Sequence, residues 1–351
     1  MSPVERATLL RYFTGPGTPE ERLAHAVEFV MTAAPADPAP VVKAKPELVG
    51  VPYIEKLANV GTARAYVLAR RLPGILPPLT LPEALEVTRI AGAAGLSNGL
   101  VTERPFRAPH HGVSFAGLAG GGTRLTPGEI TLASGGVLYL DELTEFRRDA
   151  LESLRQPLEE GKITVVRVAG RATFPAAFSL AASMNPCPCG WLGRNDGRCA
   201  CTPQGVARYR AKISGPLLDR FDLLVDVPPV DVEALAAAAT GEPSTVVRAR
   251  VVAARRIQQE RFGPRGPADN ARMGPSDLTH HAKVEGPARS LLVAAARRLQ
   301  LSARAFDRIR RVARTIADLD GAERIGSEHV AEAIQYRQSD RRPEDRPAGG
   351  P

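Results

Sequence analysis

The segment Gly136-Val-Leu-Tyr-Leu-Asp-Glu142 constrains the fold more than any other part of the sequence. Its short, continuous apolar run is typical of a strand that is buried on both faces of a parallel sheet, so an α/β core is predicted. Asp141 and Glu142 follow the run and therefore lie at the carboxyl end of the strand. Such acids can hold Mg²⁺ and orient a water molecule, although an ordinary strand end with solvated acids has the same pattern.

A second buried strand is predicted over 178–184, and Asn185 follows it. An amide at the tip of a neighbouring strand can contact a phosphate and the attacking water, whereas the alternative is a plain Asn-Pro turn. Between the two strands, residues 143–158 carry apolar side chains at helical spacing. Residues 162–168 and 171–175 alternate as the two arms of a β-hairpin.

Helical patterns dominate the sequence after Asp231. Thr80 is a predicted N-cap for an earlier helix over 81–94, and Ser327 for the last one. The later helices are predicted over 232–239, 244–262, 287–299, 303–319 and 327–337. We therefore divide the chain into a poorly patterned segment (1–60), an α/β core (61–230), an all-α lid (231–338) and a disordered tail (339–351).

The segment Gly215-Pro-Leu-Leu-Asp-Arg-Phe-Asp222 places Arg220 at the end of a helix, just before a strand. We expect this arginine to be exposed, because it could then reach a phosphate that is bound to a neighbouring subunit. An ordinary surface ion pair with Asp219 or Asp222 is the alternative.

The four cysteines of the chain occur within 15 residues, as Cys187, Cys189, Cys199 and Cys201. Two close pairs of thiolates can supply the tetrahedral all-sulfur shell of a structural zinc ion. The one-residue spacing within each pair is tighter than the usual two-residue spacing. Reduced thiols that merely close a loop remain the alternative.

The chain has 351 residues and a formal net charge of +8. This charge suits a polyanionic partner such as DNA, but an arginine-rich composition would also follow from a GC-rich genome. No apolar run approaches the roughly 18 residues of a membrane span, and the first residues lack the apolar region of a secretory signal. A cytoplasmic protein without a membrane segment is expected.

The stretch from Leu68 to Arg337 resembles the magnesium-chelatase-like AAA+ ATPases, specifically their ComM (YifB) branch. The strings that carry the resemblance are Leu68-Ala-Arg-Arg-Leu-Pro-Gly-Ile-Leu-Pro-Pro78, Arg104-Pro-Phe-Arg-Ala-Pro-His-His111, Pro127-Gly-Glu-Ile130, the Gly136–Leu143 segment, Met184-Asn-Pro-Cys-Pro-Cys-Gly190 and Leu301-Ser-Ala-Arg-Ala-Phe-Asp307. They occur in the family's order. The resemblance implies an AAA+ parallel sheet with β-hairpin inserts, followed by a helical lid.

The resemblance also implies roles for individual residues. Asp141 and Glu142 look like the Walker B acids and Asn185 like sensor 1. Arg220 looks like the arginine finger and Arg304 like sensor 2, so that Asp141 and Arg304 would bind the nucleotide. ATP and Mg²⁺ are the implied cofactors, and a homo-hexamer or a mixed AAA+ ring is the implied assembly. The implied activity is ATP-dependent remodelling of DNA, with branch migration during recombination and natural transformation; the alternative is a motor subunit that inserts metal into a porphyrin.

The hairpin over 162–175 resembles an insert that faces the central pore in related rings. Arg167 and Arg171 could therefore contact a DNA backbone, or simply solvate a two-stranded arm. His110 and His111 lack carboxylate or histidine partners at ligand spacing, so we expect them to have a structural or inter-subunit role.

The sequence departs from the family at its phosphate-binding loop. No Gly-Lys-Thr or Gly-Lys-Ser occurs in the chain, and Ala65 and Tyr66 stand at the family's lysine and threonine positions. Neither can neutralise phosphates or hold Mg²⁺. Residues 1–60 match neither the family's N-terminal domain nor the strand before the loop. If the first 66 residues are out-of-frame translation, they should pack poorly and lack a strand that leads into residue 61. Either a frame error lies upstream of about Val67, or the chain is an inactive AAA+ scaffold in a ring with active neighbours.

Overall fold

A computed structural model describes residues 53–56, 62–97, 99–121, 125–167, 170–193, 197–227 and 242–338. They form two compact units. The α/β unit contains the residues between 52 and 248 except 222–224, and the helical unit contains 222–224 and the residues from 249 onward. No helix among the described residues is long and apolar enough to cross a membrane.

The α/β unit is built on a parallel sheet, as predicted. Its elements are β1 (Tyr53–Lys56), α1 (Thr62–Ile75), α2 (Leu81–Ala93), β2 (Phe106–Arg107), α3 (Phe115–Ala119), β3 (Gly120–Gly121), β4 (Thr126–Pro127), α4 (Glu129–Leu132), β5 (Val137–Leu140), α5 (Arg148–Glu152), α6 (Arg155–Glu160), β6 (Lys162–Arg167), β7 (Gly170–Pro175), β8 (Ser179–Ser183), α7 (Pro203–Arg210), α8 (Gly215–Leu218) and β9 (Leu223–Asp226). The sheet order is β2-β5-β8-β1-β9. All four residues of β5 are buried, because the strand has a parallel neighbour on each side.

Strand β1 lies before residue 61, where the frame-error alternative expects no strand. Tyr53, Ile54 and Glu55 pair in parallel with residues 181–183 of β8. A strand is needed here, because a gap between β8 and β9 would leave two rows of backbone donors and acceptors without partners. Tyrosine and isoleucine also favour extended backbone. Residues 57–61, where a phosphate loop would lie, are outside the described residues.

The segment over 143–158, which is predicted as one helix, is divided into three short pieces. Leu143–Glu145 is a 3₁₀ turn, and α5 and α6 follow it. The first division lies at Phe146 and Arg147, whose extended backbone (ψ 148° and 139°) ends the 3₁₀ turn before α5 begins. The apolar spacing is still used, because Ala150, Leu151 and Leu154 are buried.

The helix predicted over 81–94 is confirmed as α2, together with its cap. The Thr80 hydroxyl accepts from the Glu83 backbone N–H, and the Glu83 carboxylate accepts from the Thr80 N–H at 2.8 Å. The Arg104 guanidinium contacts Glu83 and donates to Pro77 O and to Gly135 O at 2.7 Å. Since Gly135 lies just before β5, this network also holds the beginning of that strand.

The predicted hairpin is present as the antiparallel pair β6–β7. Its register runs from Lys162 opposite Pro175 to Arg167 opposite Gly170. Ile163 and Val165 are buried on one face, while Val166 on the other face is 62% exposed. The alternation follows from the two-residue period of a strand.

The helical unit contains most of α9 (Ser244–Phe262), followed by α10 (Pro275–His281), α11 (Gly286–Arg298), α12 (Ala303–Leu319) and α13 (Ser327–Gln338). The predicted helix over 303–319 matches α12, and its apolar face is buried. Asp318 is buried against Arg261, Arg314 and Asn270, so its charge is fully hydrogen-bonded. The predicted helix over 232–239 and the tail 339–351 lie outside the described residues.

Candidate functional site

The acids predicted from the sequence lie at the carboxyl end of β5, where the chain turns sharply. The Tyr139 hydroxyl lies 3.1 Å from Asp141 Oδ1 and 2.9 Å from Ser183 Oγ. Ser183 donates to the same Asp141 oxygen, which also accepts from the Glu142 N–H at 3.1 Å. The Asp141 carboxylate is therefore held by neighbours on two strands. Glu142 has φ 52° and ψ 52°, so its side chain leaves the line of the strand.

The histidine pair lies beside these acids, which sequence spacing did not indicate. His111 Nδ1 is 3.6 Å from Glu142 Oε2, and both side chains are more than a third exposed. The rings of His110 and His111 lie with their centroids 4.0 Å apart, and the Gly112 N–H donates to His110 Nδ1. The contact joins residues 31 positions apart, because β2 and β5 are neighbours in the sheet.

Asn185 lies at the same edge as the acids, two residues beyond β8. Since Leu140 pairs with Ala182, the ends of β5 and β8 are adjacent. Asn185 and Glu142 both line a cavity of about 420 Å³, with Glu145, Arg208, Tyr209 and Lys212. The sequence thus correctly indicated which strand ends meet, but it did not indicate that α7 supplies the opposite wall.

The wall from α7 is held to the Asn185 segment by two hydrogen-bonding side chains. Burial raises the pKa of Tyr209, although hydrogen bonds with Thr144 and with the backbone of Asn185 oppose that change. Arg210 donates from Nε and Nη2 to Pro186 O at 3.3 and 3.1 Å. Both contacts fix the end of α7 against the turn that follows β8.

The four cysteines lie together as predicted. Their sulfur atoms are all within 4.8 Å of one another, and three of the separations are 3.4, 3.9 and 3.7 Å. Sulfurs about 2.3 Å from a central zinc in a tetrahedron would lie about 3.8 Å apart. None of the four is in a disulfide. The donor set and its spacing therefore fit one tetrahedral ion.

Backbone amides support three of these sulfurs. The Trp191 backbone N–H and the hydrogen bonds with the other thiols outweigh burial and lower the pKa of Cys189 to about 7. The Cys189 N–H lowers the pKa of Cys201, but the Cys189 sulfur, burial and the Cys187 charge raise it to about 12. The Cys201 N–H likewise bonds to Cys199. Amide hydrogen bonds to thiolate sulfur are the usual outer support of a metal centre.

At the beginning of α1, Ala65 and Tyr66 stand at the family's lysine and threonine positions. Ala65 is fully buried, and Tyr66 is 38% exposed. The Tyr66 ring centroid lies 6.1 Å from that of Phe106 and 6.0 Å from that of Tyr139. Tyr66 therefore packs on the strand that ends in Asp141.

Arg220 is not exposed, so this expectation was wrong. Its side chain is 5% exposed; Nη2 contacts Glu159 Oε1 at 2.6 Å, and Nη1 donates to Pro216 O. Arg304 is exposed in the first turn of α12, in the helical unit.

The hairpin arginines occupy the end of the β6–β7 arm. Arg171 is exposed on β7, and Arg167 ends β6 opposite Gly170. The cross-strand pair Thr164 and Thr173 stabilises the arm through a 3.0 Å contact between hydroxyls.

Comparison with known proteins identifies two matching family models. The model described as magnesium chelatase, subunit ChlI, matches residues 58–235, and the model of its C-terminal region matches residues 241–337. The chain is similar to competence protein ComM of Haemophilus influenzae, with 43% identity over 284 residues, which is 80% of this chain and 54% of that protein.

Two further relatives show a similar extent of matching. Protein YifB of Escherichia coli is 41% identical over 284 residues, covering 80% of this chain and 55% of YifB. Protein Rv2897c of Mycobacterium tuberculosis is 43% identical over 277 residues, covering 78% and 54%. The chain thus spans about half the length of the curated relatives it matches.

Proposed function

The chain belongs to the magnesium chelatase subunit ChlI family, and from this premise we propose that it is a subunit of an ATP-driven AAA+ ring that remodels DNA. Branch migration during recombination and natural transformation, in the cytoplasm, is the specific role. The observation that carries the proposal is that Glu142 and Asn185 line one cavity, while Asp141 accepts from the Glu142 N–H at the end of β5. A relative named as a competence protein supports the choice of DNA as substrate.

The residues around β5 and β8 fit a magnesium–nucleotide site, whereas those around α1 do not. Asp141 and Glu142 supply carboxylates for the metal and for a water molecule, and Asn185 supplies an amide for a phosphate. Ala65 supplies no charge, and Tyr66 is packed against Tyr139. We therefore propose that this chain binds and hydrolyses ATP poorly, and that neighbours in a homo-hexamer or mixed ring provide most of the turnover.

A chain with weak hydrolysis can still act on a neighbour. In this proposal Arg220 stabilises the charge of a neighbour's nucleotide, and Arg304 senses the chain's own. Arg220 must first leave Glu159, because the guanidinium is held there at 2.6 Å. The ordered strand β1 supports a genuine ring member over a misread segment.

The trans role is tested by mixing this chain with a family member that hydrolyses ATP. We expect the mixture to form rings in sedimentation velocity and to hydrolyse faster than the active member alone. Arg220→Ala should remove the increase, whereas Glu159→Gln, the matched change on the other partner, should preserve or enlarge it. Equal rates with the wild-type chain and with Arg220→Ala would contradict this role.

The DNA role rests on the hairpin, where Arg171 is exposed and Arg167 lies across from Gly170. Anisotropy measurements with a labelled four-way junction should show salt-dependent binding. Arg171→Ala should weaken it and reduce the salt slope by about 1. Arg89→Ala, an exposed arginine on α2, is the charge-matched control and should change little. Equal effects of the two variants would assign binding to net charge alone.

Zinc is the cofactor that we propose for the four cysteines. The tetrahedral spacing of the sulfurs and the amide hydrogen bonds support it. Elemental analysis of chain purified in reductant without chelator should find about one zinc per chain, and Cys199→Ser should lose it. A zinc-free wild-type chain that takes up none on addition would contradict the assignment.

A further inference from the structure

Two of the four cysteines follow β8 and the other two precede α7, so they lie at the two ends of the segment that joins this strand to this helix. Cys187 and Cys189 follow β8 directly after Asn185, whereas Cys199 and Cys201 lead into α7 through its N-cap, Thr202. The Thr202 hydroxyl accepts from the Gly205 N–H at 3.1 Å. One metal ion at the four sulfurs would therefore join the end of a central strand to the beginning of a helix.

The other end of α7 returns to the same turn. Arg210 donates twice to Pro186 O, and the Tyr209 hydroxyl bonds to the backbone of Asn185. The eight residues of α7 are thus attached at both ends to the segment that begins with Asn185: by the cysteines at its first turn, and by Tyr209 and Arg210 at its last.

The turn between the first two cysteines brings the Asn185 side chain against the cluster. Gly190 donates its N–H to Cys187 O at 3.0 Å and has φ +79°. A Cβ at Gly190 would lie 3.9 Å from Asn185 Cγ and Oδ1. The Asn185 amide is therefore next to the turn that the metal would stabilise, so the position of the amide depends on the geometry of that turn.

We propose that the ion held by the four cysteines is a clamp that positions Asn185 and the α7 wall of the cavity. The proposal rests on the function proposed above only in giving Asn185 a role in nucleotide sensing. Without the ion, the four sulfurs have no covalent link to one another, and the Tyr209 and Arg210 contacts still hold the last turn of α7. Asn185, Pro188, Gly205 and Tyr209 all line the cavity, so losing the ion loosens one whole wall.

Hydrogen exchange on the full chain tests the clamp without any nucleotide. The zinc-loaded chain is compared with chain stripped by a chelator in reductant and with chain reloaded with zinc. We expect exchange in 184–190 and in α7 to accelerate by roughly tenfold or more on stripping, and to recover on reloading. The β6–β7 hairpin and α12 should not change. Trp191, the only tryptophan in the sequence, donates its backbone N–H to Cys189. Its fluorescence should therefore change when the metal is removed and recover when it is restored.

Two arginine variants on α7 distinguish an ion that positions the Asn185 turn from an ion that only closes the cysteine loop. Arg210→Ala should keep one zinc per chain but accelerate exchange in 184–190, whereas Arg208→Ala should leave that exchange unchanged. The side-chain amide resonance of Asn185, assigned by its loss in Asn185→Asp, should shift on stripping and in Arg210→Ala.

Three results would overturn the clamp. The first is faster exchange confined to 190–201, with α7 and the Asn185 resonance unaffected, because the ion would then only close a loop. The second is a rise across the chain that includes α12, and the third is failure to bind added zinc. Because none of these measurements uses ATP or DNA, they fail or succeed independently of the proposed function.

Discussion

Two neighbouring parts of one sheet edge differ in the side chains that they carry. At the ends of β5 and β8, Glu142 and Asn185 line a common cavity, and Asp141 directly precedes Glu142. On the next strand along, β1 takes its place in the sheet and α1 follows it, but the helix brings a buried Ala65 and a packed Tyr66. Strand pairing is therefore present in both parts, whereas the two acids and the amide lie in one of them, and Ala65 and Tyr66 lie in the other.

The difference shows that the architecture of such a sheet does not depend on its ligand-binding residues. Strand pairing and helix packing are satisfied by backbone hydrogen bonds and apolar burial. Phosphate binding instead requires charges and hydroxyls at single positions. An aromatic side chain such as Tyr66 can thus pack against the sheet at a position where the proposed function would need a hydroxyl for Mg²⁺.

The largest expected effect is on ATP turnover. We expect the chain to hydrolyse ATP well below the roughly 1 s⁻¹ of a slow phosphoryl-transfer enzyme, because Ala65 supplies no cation at the family's lysine position and the packed Tyr66 supplies no aliphatic hydroxyl at its threonine position. Phosphate release with and without DNA measures this. The Glu142→Gln variant serves as background. A rate near 1 s⁻¹ that disappears in Glu142→Gln would contradict this expectation, because the α1 side of the edge would then support hydrolysis together with the β5–β8 side.

The next effect concerns restoring the family's lysine. Ala65→Lys should lower the free energy of unfolding by about 3 kcal/mol or more, because an ammonium would be buried where Ala65 is fully covered. Val67→Lys on the same helix is the control and should cost less than about 0.5 kcal/mol, since Val67 is 50% exposed. Urea denaturation compares them. A stable Ala65→Lys variant that binds ATP would show that α1 can turn to present this position.

A smaller effect is expected where β5 and β8 share the Asp141 network. Ser183→Ala removes the hydroxyl that bonds to Asp141 and lies 2.9 Å from the Tyr139 hydroxyl. We expect a loss of about 1 to 2 kcal/mol, because these groups are largely buried. Thr164→Ala, which breaks the exposed pair with Thr173, should cost much less. Equal losses would mean that the Asp141 network contributes no more to the free energy of unfolding than the exposed threonine pair does.

The smallest effect is a pH dependence at the beginning of β5. Burial raises the pKa of Glu83, but the Thr80 N–H and Arg104 outweigh it and hold the pKa below 4.5. The stabilisation is therefore complete above the unfolded value and is lost as the pH falls through the lower folded value. Because Glu83 is 43% exposed, the contribution should be only about 0.5 kcal/mol.

Denaturation at about pH 5 and about pH 3.5 should show this loss in the wild type. Glu83→Gln should show a smaller change over the same range, and Glu86→Gln, an exposed neighbour on α2, should behave like the wild type. Identical profiles for all three would remove Glu83 from the support of β5.

The strands and helices that the sequence predicted best are those with one dominant pattern. The apolar run before Asp141 could form only a buried strand, and α12 carries a long apolar stripe after the Ser302 cap. Helix α7 was missed because Pro203–Arg210 is polar and lies in a glycine-rich region, so no apolar face marks it. Strand β1 was missed because four residues carry too little pattern.

Contacts between distant residues were the least predictable part of the site. The Arg220–Glu159 pair joins positions 61 apart, and nothing local distinguishes Glu159 from Glu160. The His111–Glu142 contact likewise depends on β2 lying beside β5. In contrast, the cysteine cluster was predictable, because chelation restricts ligand spacing and the chain has no other cysteines.

The left-handed backbone at Glu142 lowers stability, whereas the proposed chemistry requires the carboxylate of this residue. A side chain in the left-handed region costs roughly 1 to 2 kcal/mol relative to the ordinary one, and glycine alone avoids that cost. Glycine would thus relieve the backbone strain at the corner after β5, but it would also remove the carboxylate that faces the cavity. The corner is a small store of strain at the place where the sheet meets solvent, and selection for stability alone would remove it.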